Sequence, residues 1–156
     1  MNLQKVTIEN FKCFHSKTEI ELGKLTLLTG ANSSGKSSIM YSILGAIQSG
    51  EFPFQFSTNG KYVNMGDFQE IVYNHVKDDK IKLGFTFKNG GIHTIETTWK
   101  ENLKNNLPKL SELKVKSDYF YLDMKYDDKT KKYVVDFNYN PDKDPHNQIL
   151  DPSLEK

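Results

Sequence analysis

The 156 residues carry 21 basic against 20 acidic side chains, a net charge of +1, and a single cysteine. So even a balance excludes a global field that would recruit nucleic acid or anionic lipid, and one cysteine excludes an internal disulfide framework. No apolar run approaches the ~20 residues needed to span a bilayer, and Met1-Asn2-Leu3-Gln4-Lys5 opens a strand pattern rather than a secretory leader, so the chain reads as one soluble, cytoplasmic domain.

An aromatic content of 12% leans the average towards β-structure. Val6 and Ile8 alternate with Thr7 and Glu9, and Glu19 to Leu22 repeats the alternation. The unbroken apolar run Leu25-Thr26-Leu27-Leu28 predicts a strand buried on both faces in the middle of a sheet. Ile39, Met40, Ile43, Leu44 and Ile47 recur at helical spacing and predict a helix from Ser37 to Gln48 with one apolar stripe. Gly50 and Pro53 close it.

Asn59-Gly60 then predicts a tight turn. Ile81 to Phe87 alternates strictly, Ile92 to Trp99 is rich in β-formers, and Lys88-Asn89-Gly90-Gly91 between them signals a hairpin. A second hairpin joins Tyr119–Tyr126 to Lys132–Tyr139 across Asp127-Asp128-Lys129-Thr130. Between the hairpins, Leu103, Leu107, Leu110 and Leu113 have helical spacing, but Pro108 opposes an unbroken helix. Lysines 100, 104, 109, 114 and 116 in this stretch could touch DNA phosphates. Glu101 and Glu112 interrupt their field, and a solvated connector is the simpler reading. The organisation expected is a domain over 1–140 and a loose tail over 141–156.

Chemistry concentrates in Gly30-Ala31-Asn32-Ser33-Ser34-Gly35-Lys36-Ser37, which spells G-x-x-x-x-G-K-S between an apolar run and a helix. That context is the one a phosphate-binding P-loop requires. Glycines let successive N–H groups converge on an anion, and the following helix points its positive end there. On this reading Lys36 reaches the β- and γ-phosphates and the Ser37 hydroxyl ligates Mg²⁺. The plainer alternative is a polar turn that caps a helix. His15, His75, His93 and His146 are scattered without ligand spacing, and Cys13 reads as a small buried residue.

Ile8-Glu9-Asn10-Phe11-Lys12-Cys13-Phe14 resembles the "I-x-N-F-K-x-F" opening of SMC, RecF and OLD-type ATPases. Thr29 to Ser38 is similar to the "G-x-N-S-S-G-K-S-S" loop of the same group, whose bacterial members are commonly called AAA-family ATPases. Asn59-Gly60-Lys61-Tyr62-Val63-Asn64-Met65-Gly66-Asp67-Phe68 resembles a segment that follows the first helix in one subgroup. The resemblance covers roughly residues 1 to 75. It implies an α/β P-loop lobe of ATP-binding-cassette type, in which an antiparallel β-subdomain sits beside the loop and one main helix. It implies ATP and Mg²⁺ as ligands of Gly30, Ala31, Asn32, Ser33, Ser34, Gly35, Lys36, Ser37 and Ser38. It also implies that Lys12 approaches the phosphates, with a solvent-exposed lysine as the alternative, and that Gln69, with Gln55 as competitor, senses Mg²⁺ and the attacking water; a surface glutamine is the alternative for either.

Such ATPases also need a signature "L-S-x-G" loop and a Walker B strand that ends in Asp-Glu. Tyr119-Phe120-Tyr121-Leu122-Asp123 imitates that strand, but Met124 stands where the glutamate belongs, and Leu110-Ser111-Glu112-Leu113 lacks the signature glycine. A hairpin strand that ends in a charge explains Asp123 equally simply. The chain thus looks like the N-terminal half of an ATPase. It would bind ATP with little turnover alone and pair with a C-terminal half or a second ATPase subunit, with DNA as a ligand of the complete protein. Rival readings are a stand-alone NTPase or kinase, which the absence of any arginine for a phosphate-clamping lid disfavours, and a non-catalytic remnant that serves as an interaction subunit.

Overall fold

The computed structural model describes residues 2–76 and 79–144. Alternating side chains form seven strands: β1 (Asn2–Glu9), β2 (Thr18–Glu21), β3 (Ile81–Lys88), β4 (Ile92–Asn102), β5 (Leu107–Lys116), β6 (Phe120–Asp127) and β7 (Lys132–Tyr139). They build one sheet in the order β2-β1-β3-β4-β5-β6-β7, with antiparallel neighbours throughout. Between β2 and β3 the chain leaves the sheet to form helix α1 (Lys36–Gln48) and the single turn α2 (Phe68–Ile71).

Cross-strand rows bring the apolar positions to one face. Val6 opposes Ile20 and Phe85, Ile8 opposes Leu83, and Ile81 opposes Trp99. Ile39 of α1, with Phe56, Val63, Met65, Phe68, Ile71 and Val72, packs over these residues to close the core. The Phe56 and Trp99 rings meet at 5.8 Å. Burial leaves the Trp99 indole N–H needing an acceptor. It donates to Thr97 Oγ1 at 2.8 Å, and that hydroxyl donates to the Leu83 carbonyl at 3.1 Å. The opposite face carries ion pairs such as Lys82–Glu9 and Lys125–Asp123.

The expected hairpins form. Asn89 donates its backbone N–H to the Gly91 carbonyl between β3 and β4. Asp127 accepts from the Lys129 N–H and the Thr130 hydroxyl between β6 and β7. The stretch after Lys100 corrects the reading as a solvated connector, because it extends β4 and then forms β5. Trp99 opposes Leu110 while Thr98 opposes Glu112, so Ser111 is an extra, bulged residue. That bulge returns Leu110 and Leu113 to one face, both buried, although their spacing looks helical. Pro108 is tolerated because β6 pairs only with Glu112–Lys116, which leaves the start of β5 as an edge.

Three further expectations are corrected. Leu25–Leu28 joins no strand among the described residues, and Leu25 and Leu27 are 82% and 78% exposed. The run has no neighbour in this sheet to satisfy its backbone. Helix α1 buries only Ile39 of its apolar stripe fully, together with Ser42 and Gly45; Ile43 and Leu44 pack partly buried against the core, and Met40 and Ile47 are exposed. The reason is close approach: a Cβ on Gly45 would stand 2.8 Å from the Phe56 ring. Cys13, expected to be buried, is exposed at the tip of a turn. The expected tail begins with a 3-10 turn at Pro141–Lys143, and its residues 145–156 lie outside those described.

Candidate functional site

Three segments converge beside the start of α1. The first is the turn after β1, where Asn10 and Lys12 take left-handed backbone angles and Phe11 and Phe14 exchange backbone hydrogen bonds. Phe11 is fully buried, which fixes the turn and pushes Lys12 and Cys13 to its tip. The second is the 71–75 segment. Lys12 N–H donates to the Ile71 carbonyl at 2.7 Å, Tyr73 N–H donates to the Asn10 carbonyl at 3.2 Å, and Val72 bridges to Phe11.

The third is the loop 30–37. Gly30 and Gly35 have φ of 141° and 94°, conformations that disfavour any residue with a Cβ. At Gly35 space is also closed, since a Cβ there would lie 2.8 Å from both Cys13 Sγ and the Phe14 ring. Gly35 is the N-cap of α1 and supplies no side-chain cap, so the first N–H groups of the helix receive no side-chain acceptor. The Lys36 ammonium donates to the carbonyls of Gly30 at 2.8 Å and Ala31 at 2.6 Å, and to Ser34 Oγ at 3.3 Å. A cation thus sits on the oxygens of the loop that precedes its own helix.

Together these segments line a cavity of about 390 Å³. One wall is Ser33, Ser34, Gly35, Lys36, Ser37 and Ser38; the turn contributes Lys12 and Cys13; the opposite side is Glu70, Val72, Asn74 and His75. Gly30, Ala31 and Asn32 are exposed and do not line it. Lys12 donates from Nζ to the carbonyls of Met65 at 3.2 Å and Glu70 at 3.1 Å. Burial pulls its ammonium below the usual lysine range, with the Glu70 carboxylate acting against that shift. Cys13 Sγ stands 3.7 Å from the Ser38 hydroxyl. Two ammonium groups, four serine hydroxyls and an uncapped helix start make a donor set suited to a polyanion, and a hydroxyl such as that of Ser37 suits a hard cation.

Other expected residues lie elsewhere. The Gln69 amide donates to Glu101 at 2.7 Å and does not line the cavity; Gln55 is exposed. Asp123 is on β6, four strand positions from β1 and so roughly 19 Å across the sheet. Its Oδ2 accepts from the Tyr121 hydroxyl at 3.1 Å and pairs with Lys125, the contacts of a strand residue on the charged face. Glu70, Asn74 and His75 carried no motif. Long-range backbone contacts between the Asn10–Lys12 turn and Ile71–Tyr73, which no local pattern announces, bring them to the loop.

The chain matches the family model described as AAA ATPase domain over residues 1–152, and it belongs to that family. It is therefore a nucleotide-binding, ATPase-type domain. No curated protein matches it. Among the described residues no helix is long and apolar enough to cross a membrane.

Proposed function

We propose that the chain binds ATP with Mg²⁺ through the loop 30–37, as a lobe of ATP-binding-cassette type akin to those of SMC, RecF and OLD-like ATPases. The observation that carries this reading is the Lys36 ammonium on the Gly30 and Ala31 carbonyls, in a cavity shared with Lys12, Ser37 and Ser38. On binding, Lys36 exchanges those carbonyls for phosphate oxygens, backbone N–H groups from 33 to 37 surround the same phosphates, and the Ser37 hydroxyl holds Mg²⁺. The bound metal neutralises phosphate charge.

The lobe reading draws support from the outward side of the site. Leu25 and Leu27 before the loop, and Met40 and Ile47 on the outer side of α1, expose apolar surface suited to a further layer of strands. We propose that such a layer, from a C-terminal half or a second subunit, also brings the catalytic acid, so that these 156 residues bind ATP with little turnover. Against a stand-alone NTPase stands the position of Asp123, the Walker B candidate among the described residues, across the sheet.

Calorimetry with Mg-ATP tests the reading. Lys36→Ala removes a charge-assisted contact worth about 1.5–3 kcal/mol, and affinity should fall roughly tenfold to a hundredfold. Equal affinity in both proteins would refute the assignment of the loop.

A further inference from the structure

The side of the cavity that faces the P-loop contains a histidine ring whose orientation is set before any ligand arrives. His75 Nδ1 lies 2.7 Å from the Gln69 carbonyl. A carbonyl only accepts, so Nδ1 carries the hydrogen, and Nε2 is left without a hydrogen bond among the described residues. The Gln69 side chain is meanwhile committed to Glu101, so residue 69 serves this site through its backbone.

The local chain geometry is held from both sides. Asn74 and His75 both have left-handed φ, 51° and 55°, a conformation uncommon outside glycine that Asn and His tolerate better than most residues. Here the Phe11–Val72 bridge and the Tyr73-to-Asn10 hydrogen bond anchor the chain on one side, while the His75 N–H donates to the Val72 carbonyl at 3.2 Å. The result directs Asn74 and His75 into the lining shared with Lys36 and Ser37.

We propose that His75 is a nucleotide-contacting residue whose Nε2 donates to a phosphate oxygen of the bound ATP, with Gln69 acting through its carbonyl as the positioning residue. This rests on the reading of the loop 30–37 as the nucleotide site. The ring form that donates from both nitrogens is the imidazolium, and the proposed contact uses that form. Nδ1 keeps the Gln69 carbonyl and Nε2 meets the phosphate from the side opposite Lys36.

Two replacements separate this role from a structural one. An asparagine amide occupies the place of Nδ1 and preserves the Gln69 anchor but does not reach further; a glutamine amide occupies the place of Nε2. Binding of Mg-ATP should therefore weaken about tenfold in His75→Asn and stay within about threefold of the parent in His75→Gln. The reverse order, or unchanged affinity in both while Lys36→Ala binds weakly, overturns the proposal and leaves the P-loop reading intact. Unchanged affinity in Lys36→Ala as well removes both. Should either replacement fail to fold, the His75 ring resonances of the parent protein decide. Mg-ATP should shift them there and not in Lys36→Ala; no shift in the parent at saturating Mg-ATP overturns the contact.

Discussion

Ile8 on β1 and Val135 on β7 lie in one cross-strand row, through Leu83, Thr97, Leu113 and Met124, yet Ile8 is fully buried and Val135 is 54% exposed. Both ends of the sheet carry the same alternation of apolar and polar side chains. The difference is the second layer. Helix α1 and the residues from Phe56 to Val72 pack over the β1 end, whereas every residue of β7 is exposed. Alternation assigns a face, but burial requires something to cover it, and the candidate site forms at the covered end, where buried anchors such as Phe11 hold its loops.

The largest expected effect lies under that layer. Trp99→Ala removes a fully buried indole and should cost about 3–5 kcal/mol in denaturant unfolding, a large share of the 5–15 kcal/mol typical of a domain. Gly45→Ala sharpens the point, because two effects oppose each other. Alanine favours the helix by about 1 kcal/mol. Its Cβ, 2.8 Å from the Phe56 ring and 2.9 Å from Met65 Cε, overpacks the contact by about 1–3 kcal/mol. Net destabilisation is expected; a rise in melting temperature would mean that α1 sits less tightly on its neighbours. At the other end Phe137→Ala, at a side chain 58% exposed, should change stability by less than about 1 kcal/mol. A loss as large as that of Trp99→Ala would show that β7 has a covering in solution, and the contrast between the two ends would fall.

Much of this was legible in the sequence, and what was not has particular causes. Six strands, α1 and both hairpin turns follow from local alternation and turn residues. β5 escaped because the Ser111 bulge gives a strand the leucine spacing of a helix. The run Leu25–Leu28 has the composition of a central strand, but this sheet offers it no pairing partner. In α1 the close contact puts Ser42 and Gly45 beside Ile39 on the buried face, so Met40 and Ile47 of the apolar stripe are left outside it. The loop 30–37 was readable because its chemistry is contiguous. The facing residues were not, since a long-range bridge positions them, and it presents His75 and Glu70 while Gln69 turns to Glu101.

The order of the strands also has a consequence in time. From β3 to β7 each strand pairs with the next one along the chain, across short turns. β1 instead meets β3 over a separation such as the 73 residues between Glu9 and Lys82, and the whole P-loop segment lies inside that span. Contacts between distant residues form slowly, because chain entropy is lost before they reward it. Pulsed hydrogen exchange during refolding should therefore find protection in β4 and β5 before β1, and protection in β1 first would reverse that order. The phosphate loop then takes its final shape only when the two ends of the longest span have met.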